Sequence, residues 1–136
     1  MSTVSDSACK WRYWLPVGAL AAVITVGTSL PARGPAVLPH GVDKVIHACA
    51  YGMLALLLGR ALIAERGVPA GRACALAFLL VVAYGALDEI HQSWIPGRDP
   101  SIWDWAADAG GAAAAQLAVY MNRRSFGGPG ELGEEG

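Results

Sequence analysis

Charged side chains are few: Asp, Glu, Lys and Arg together make up 15% of the 136 residues, and the formal net charge is -1. No stretch of Lys and Arg interleaved with aromatics forms the basic footprint of a nucleic-acid surface, so no nucleic-acid partner is expected. Cysteine is equally sparse. Cys9, Cys49 and Cys74 are odd in number and share no CxxC spacing, which suggests neither a disulfide framework nor a cysteine-based zinc site. They read as small apolar residues. Cys9 also lacks the preceding apolar segment that a lipoprotein signal requires.

What replaces charge is apolar surface. Without counting glycine, 54% of the chain is apolar, above the roughly 45–50% that soluble domains reach with glycine included. Together with a mean hydropathy of +0.40, this balance points to lipid as the solvent for much of the surface.

The chain divides accordingly. Residues 1–12 form an N-terminal segment whose first eight positions are polar and expected to be disordered. Lys10, Trp11, Arg12, Tyr13 and Trp14 mix cations with amphipathic rings, as at a membrane interface. Tyr13 to Leu30 follows without a charge. It exceeds the usual signal-peptide core and is followed by the poor cleavage site Leu30-Pro31-Ala32, so a retained helix is expected. Pro31 to Val42, rich in Pro and Gly, reads as a loop. A second span is expected over Val45 to Ala64 and a third over Ala73 to Gln92. Ser101 and Asp104 fit a capping box, which predicts a fourth helix from Ile102 to about Met121. That helix is weakly apolar, but Ala107, Gly111 and Ala115 would let neighbouring backbones approach, so it belongs inside the bundle. The chain is thus read as an all-α integral membrane four-helix bundle over 13–121, with a disordered cytoplasmic tail over 122–136.

Four spans with a cytoplasmic N-terminus put Lys10, Arg12, Arg60, Arg66, Arg72, Arg123 and Arg124 inside and Arg33, Lys44 and Arg98 outside. Seven cations against three obeys the positive-inside rule, with both termini cytoplasmic. The remaining polar residues then gather at the outer end. Lys44, His47 and Tyr51 share one face of the second helix; Tyr84, Asp88, His91 and Gln92 share one face of the third; Asp104, Asp108 and Gly111 share one face of the fourth. Asp43 opens the second helix, Glu89 stands beside Asp88 but points about 100° away, and Arg98 follows a Pro-Gly turn from which it could reach Asp88, Glu89 or Asp104. Trp94, Trp103 and Trp105 are placed at the outer rim.

In this order, Asp43-Lys44-x-x-His47-x-x-x-Tyr51, Tyr84-Gly85-x-x-Asp88-Glu89-x-x-Gln92, Pro96-Gly97-Arg98 and Asp104-x-x-Ala107-Asp108-x-x-Gly111, the chain resembles the VanZ-like family of small bacterial membrane proteins. The resemblance covers about Asp43 to Ala115; one departure is Asp108, where the family often has asparagine. It implies a multi-pass membrane protein associated with the cell envelope and with tolerance of the glycopeptide teicoplanin.

Three readings of the polar end stay open. One is a hydrogen-bonded network that fixes helix packing. Another is a site for an envelope lipid or glycolipid headgroup, or a glycopeptide, bound by Asp43, Lys44, His47, Tyr51, Asp88, Glu89, Gln92, Arg98, Asp104 and Asp108. The third is a membrane-embedded hydrolase or transferase, with Asp88 or Glu89 as base and His47 or His91 as acid. His47, His91 and an acidic residue carry zinc-type donor atoms, but from separate helices, and no cofactor or metal is expected from spacing.

Overall fold

A computed structural model describes residues 3–31 and 41–122, with side chains from residue 11 onward. Most of the expected loop from Pro31 to Val42 and the expected disordered tail beyond Asn122 lie outside the described residues. Four helices are present, α1 (Thr3–Ser29), α2 (Val42–Arg66), α3 (Ala70–Gln92) and α4 (Ile102–Met121), and no strand occurs among the described residues.

The helix boundaries have local causes. α2 ends at Gly67, whose φ of 60° lets its N–H return to Ile63 O while Val68 N–H reaches Leu62 O. Pro69, which has no N–H to leave unpaired, precedes α3. α4 has the expected bounds but not the expected cap. Ser101 makes no side-chain capping bond; instead its backbone N–H donates to Glu89 Oε2 at 2.7 Å. The Asp104 carboxylate is engaged by Lys44. α1 corrects the reading of the N-terminus: its backbone is helical from Thr3, well before residue 13. Apolarity marks where a helix can enter lipid, not where it starts, and Ser, Thr and Asp are tolerated in an opening turn.

Side-chain partners fix the relative directions of the helices. Thr28 meets Asp88 and Ala21 meets Tyr84, so α1 and α3 run parallel. Lys44 meets Asp104, His47 meets Asp108 and Ala55 meets Gln116, so α2 and α4 also run parallel. Trp14 against Glu65 makes α1 antiparallel to α2, and Trp105 against Val82 makes α3 antiparallel to α4. The result is an up-down-up-down bundle in which the ends of α1 and α3 meet the starts of α2 and α4.

The closest approach is between α2 and α4. A Cβ at Gly52 would lie 3.0 Å from Gly111 O, and one at Gly111 would run into Ala48 O. Gly111, one of the small residues expected to permit close approach, lies at this crossing. Polarity is inverted around this contact. Asp88, Gln92, Asp108 and Gln116 are buried, whereas Met53, Leu79, Leu80 and Leu87 are more than half exposed. α2 and α3 are long and apolar enough to cross a membrane, yet only 33% and 39% of those stretches are buried within the bundle.

Gly111→Ala should therefore destabilise the purified protein by about 1–3 kcal/mol, as overpacking does. Gly110→Ala, whose Cβ meets nothing within 4 Å, should be neutral or stabilising by up to about 1 kcal/mol. Thermal denaturation in detergent checks both, and equal effects would remove the special role of Gly111.

Candidate functional site

Helical spacing brings the polar residues to one end of the bundle, where they separate into two adjoining groups. The first is centred on Asp88, which is 6% exposed. Its Oδ2 accepts from Tyr51 OH at 2.9 Å and from Gln92 Nε2 at 3.0 Å, and its Oδ1 accepts from Thr28 Oγ1 at 2.7 Å. Three helices thus converge on one carboxylate, and both of its oxygens are satisfied. Tyr84 closes the inner side, donating to Ala21 O at 2.8 Å, with Thr25 Oγ1 2.7 Å from its hydroxyl.

The second group lies between α2, α3 and α4. His47 Nδ1 and Asp108 Oδ1 are 3.0 Å apart, and Asp108 is 1% exposed. The His47 ring stands parallel to that of Tyr51, with centroids 6.1 Å apart, so the two groups share a wall. Glu89, turned away from Asp88 as adjacent helical residues must be, accepts from Ser101 N–H and faces the start of α4. Two buried carboxylate oxygens here, Glu89 Oε1 and Asp108 Oδ2, have no hydrogen-bond partner. His47, Glu89 and Asp108 each offer a ligand atom within 4.8 Å of the others, a set suited to a metal ion by donor type. Toward the rim, Lys44 bonds Asp43 at 3.0 Å and Asp104 at 2.9 Å.

Not every expected residue joins these groups. Arg98 does not reach Asp88, Glu89 or Asp104; its Nη2 donates to Gly27 O at 2.7 Å and its Nε to Leu30 O at 3.2 Å. The last carbonyls of a helix lack intrahelical partners and carry partial negative charge, which explains the preference for a guanidinium there. His91 is not paired with His47 for a metal. It lies 3.0 Å from Ser29 Oγ and edge-on to Trp94. Trp94 and Trp103 are exposed, whereas Trp105 turns inward and donates to Val82 O at 3.0 Å.

Thr28 and Ser29 were missing from the sequence reading. The signal for them is modest: Thr25, Thr28 and Ser29 put three hydroxyls into the last turns of an otherwise apolar helix. Gln116 gives a similarly modest signal, a polar residue that interrupts the Ala- and Gly-rich run of α4. It donates to Ala55 O across the α2–α4 contact, next to Gly59, where a Cβ would lie 2.7 Å from its Oε1.

Beside the second group a groove of about 370 Å³ runs between α3 and α4, lined by Ala86, Glu89, Ile90, Pro100, Ser101, Ile102 and Trp105. Its walls are mostly apolar, and Glu89 is the carboxylate among them. Chemically the end of the bundle can accept hydrogen bonds from hydroxyl or ammonium groups, hold a cation, or exchange protons between His47 and the adjacent carboxylates. Comparison with known protein families, with curated proteins and with solved structures finds no match.

Because Arg98 ties two backbone carbonyls with two separate N–H groups, Arg98→Ala should lower stability by about 1–3 kcal/mol. Arg98→Lys should recover less than half of that loss, since an ammonium cannot span both acceptors from a fixed fork. Thermal denaturation of the purified variants reads this directly. Full recovery by Lys would show that charge at the end of α1 suffices.

Proposed function

We propose that this chain is a VanZ-like integral protein of the bacterial inner membrane, with four spans and both termini cytoplasmic. Its outward polar end binds the headgroup of an envelope lipid or glycolipid and thereby contributes to glycopeptide tolerance. The observation that carries this reading is the inverted polarity: carboxylates and amides inside, Leu, Val, Ile and Met outside. In water such a bundle would expose its most apolar surface while burying its most polar groups; in lipid the same arrangement is favourable. α2 and α3 are largely unburied, unlike the core helices of a soluble domain. α4 completes the bundle despite its weak apolarity, because Asp104, Asp108 and Gln116 all bond to α2 and none needs to meet lipid.

The electrostatics narrow the ligand. Lys44 is held by two carboxylates and Arg98 by α1, so neither is poised for a phosphate. A surplus of carboxylate favours a headgroup that presents donors, such as sugar hydroxyls or an amine. The groove between α3 and α4 supplies an apolar track for an acyl chain next to Glu89. A second reading, a hydrolase or transferase acting on a lipid-linked headgroup, is favoured by the unpartnered oxygens of Glu89 and Asp108 beside His47. In that case Glu89 and His47 are the better acid-base pair, because Asp88 is saturated and His91 is engaged by Ser29.

Two measurements test the proposal. In a variant lacking native cysteines, Ser93→Cys should react with an impermeant thiol reagent on intact cells and Arg66→Cys should not; the opposite pattern reverses the orientation. Asp88→Asn keeps the shape of Asp88, and its amide can donate to Thr28 while its carbonyl still accepts from Tyr51 and Gln92. Stability in detergent should therefore change by less than about 1 kcal/mol, whereas glycopeptide tolerance in a host dependent on this protein should be lost. Retained tolerance would make Asp88 a packing residue only.

A further inference from the structure

We propose that His47, Glu89 and Asp108 form a binding site for a divalent transition-metal cation. Three helices bring these side chains together, and their candidate ligand atoms lie within 4.8 Å of one another. Ligands bound to one ion at about 2.0–2.2 Å stand at most roughly 4.4 Å apart, so small side-chain movements close the set. One imidazole nitrogen with two carboxylate oxygens is a donor set for zinc, manganese or iron; magnesium and calcium prefer oxygen alone.

A second observation points independently to an occupant. Asp108 is 1% exposed and its Oδ2 has no partner, and the buried Glu89 Oε1 is likewise unpartnered. The contrast with Asp88, only one residue from Glu89, is informative. At Asp88 the fold supplies three donors to two oxygens. At Glu89 and Asp108 it supplies one donor each and leaves an oxygen bare on both. Two carboxylates beside one imidazole, each with a buried oxygen that no donor reaches, are costly in a medium of low dielectric, and a divalent cation bound by them removes that cost directly.

Three protein ligands leave at least one position open, and the groove along Glu89 gives that position a way in. An exogenous hydroxyl or phosphate oxygen could then meet a positive charge that Lys44 and Arg98 do not offer. This last consequence rests on the headgroup reading above; the ion site rests on the three side chains and holds without it.

The test uses the full chain purified in detergent, freed of metal with a chelator and titrated with Co²⁺ and then Zn²⁺ alone. Saturation at one equivalent is expected, with a visible Co²⁺ absorption that Zn²⁺ displaces and a rise in melting temperature. Glu89→Gln and Asp108→Asn, which preserve shape, should each weaken binding at least tenfold, and His47→Ala should abolish the Co²⁺ spectrum. His91→Ala, outside the cluster, should bind like the wild type. Should the ligand variants not fold, X-ray absorption of the zinc-loaded wild type decides, with one imidazole and carboxylate oxygens expected. The proposal is overturned by absence of stoichiometric binding, as when the carboxylates share only a proton. It is equally overturned by affinity indifferent to Glu89→Gln and Asp108→Asn, or by an absorption spectrum lacking imidazole.

Discussion

The polar pairs that join α2 to α4 exist because two helix backbones touch. Ordinary side chains hold helices 8–10 Å apart. At Gly111 there is no side chain, and the α4 backbone sits against Ala48 and Gly52 of α2. The parallel run of the two helices then carries this closeness one turn outward to His47 and Asp108 and a further turn to Lys44 and Asp104. In the other direction it reaches Gln116 and Ala55. A Cβ at the crossing would push apart every one of these pairs.

In the membrane setting proposed above, hydrogen bonding performs a task that apolar burial performs in water. Where the surroundings are as apolar as leucine, helices gain little by burying leucine against leucine, and close packing with polar pairing must hold them together. The distribution of bonds fits this. Asp88 ties α3 to both α1 and α2, Trp105 ties α4 to α3, and at the opposite end Trp14 Nε1 donates to Glu65 Oε2 at 2.9 Å. The fully buried apolar residues are mostly small, including Ala55, Ala61, Ala73, Ala77 and Ala112, so backbones stay near enough for these bonds to form.

Much of this was legible from spacing, and its limit is instructive. Residues three and four apart must share a face, which correctly grouped Lys44 with His47 and Tyr51 and separated Glu89 from Asp88. Spacing within one helix does not say which neighbour that face will meet. Arg98 illustrates the gap: any nearby carboxylate looked a suitable partner, but the unpaired carbonyls ending α1 were closer and chemically adequate. Thr28 was overlooked for a related reason, since a lone hydroxyl in an apolar helix normally bonds its own preceding turn. Here it also reaches Asp88. The start of α4 was placed correctly through a capping box that does not form, because Glu89 of another helix takes the role assigned to the local side chain.

The alternating directions of the helices have an electrostatic corollary. Each helix end carries about half an elementary charge, positive at the N-terminus and negative at the C-terminus. The polar end therefore presents two positive and two negative helix termini side by side. Asp43 and Asp104 sit in the first turns of α2 and α4, while Arg98 sits at the last carbonyls of α1. Such an arrangement is a quadrupole, and its field decays with distance far faster than that of parallel dipoles. Approaching solutes would sense this surface chiefly on contact, so selectivity there is set by fit and short-range bonding, with little long-range attraction to concentrate one sign of ion.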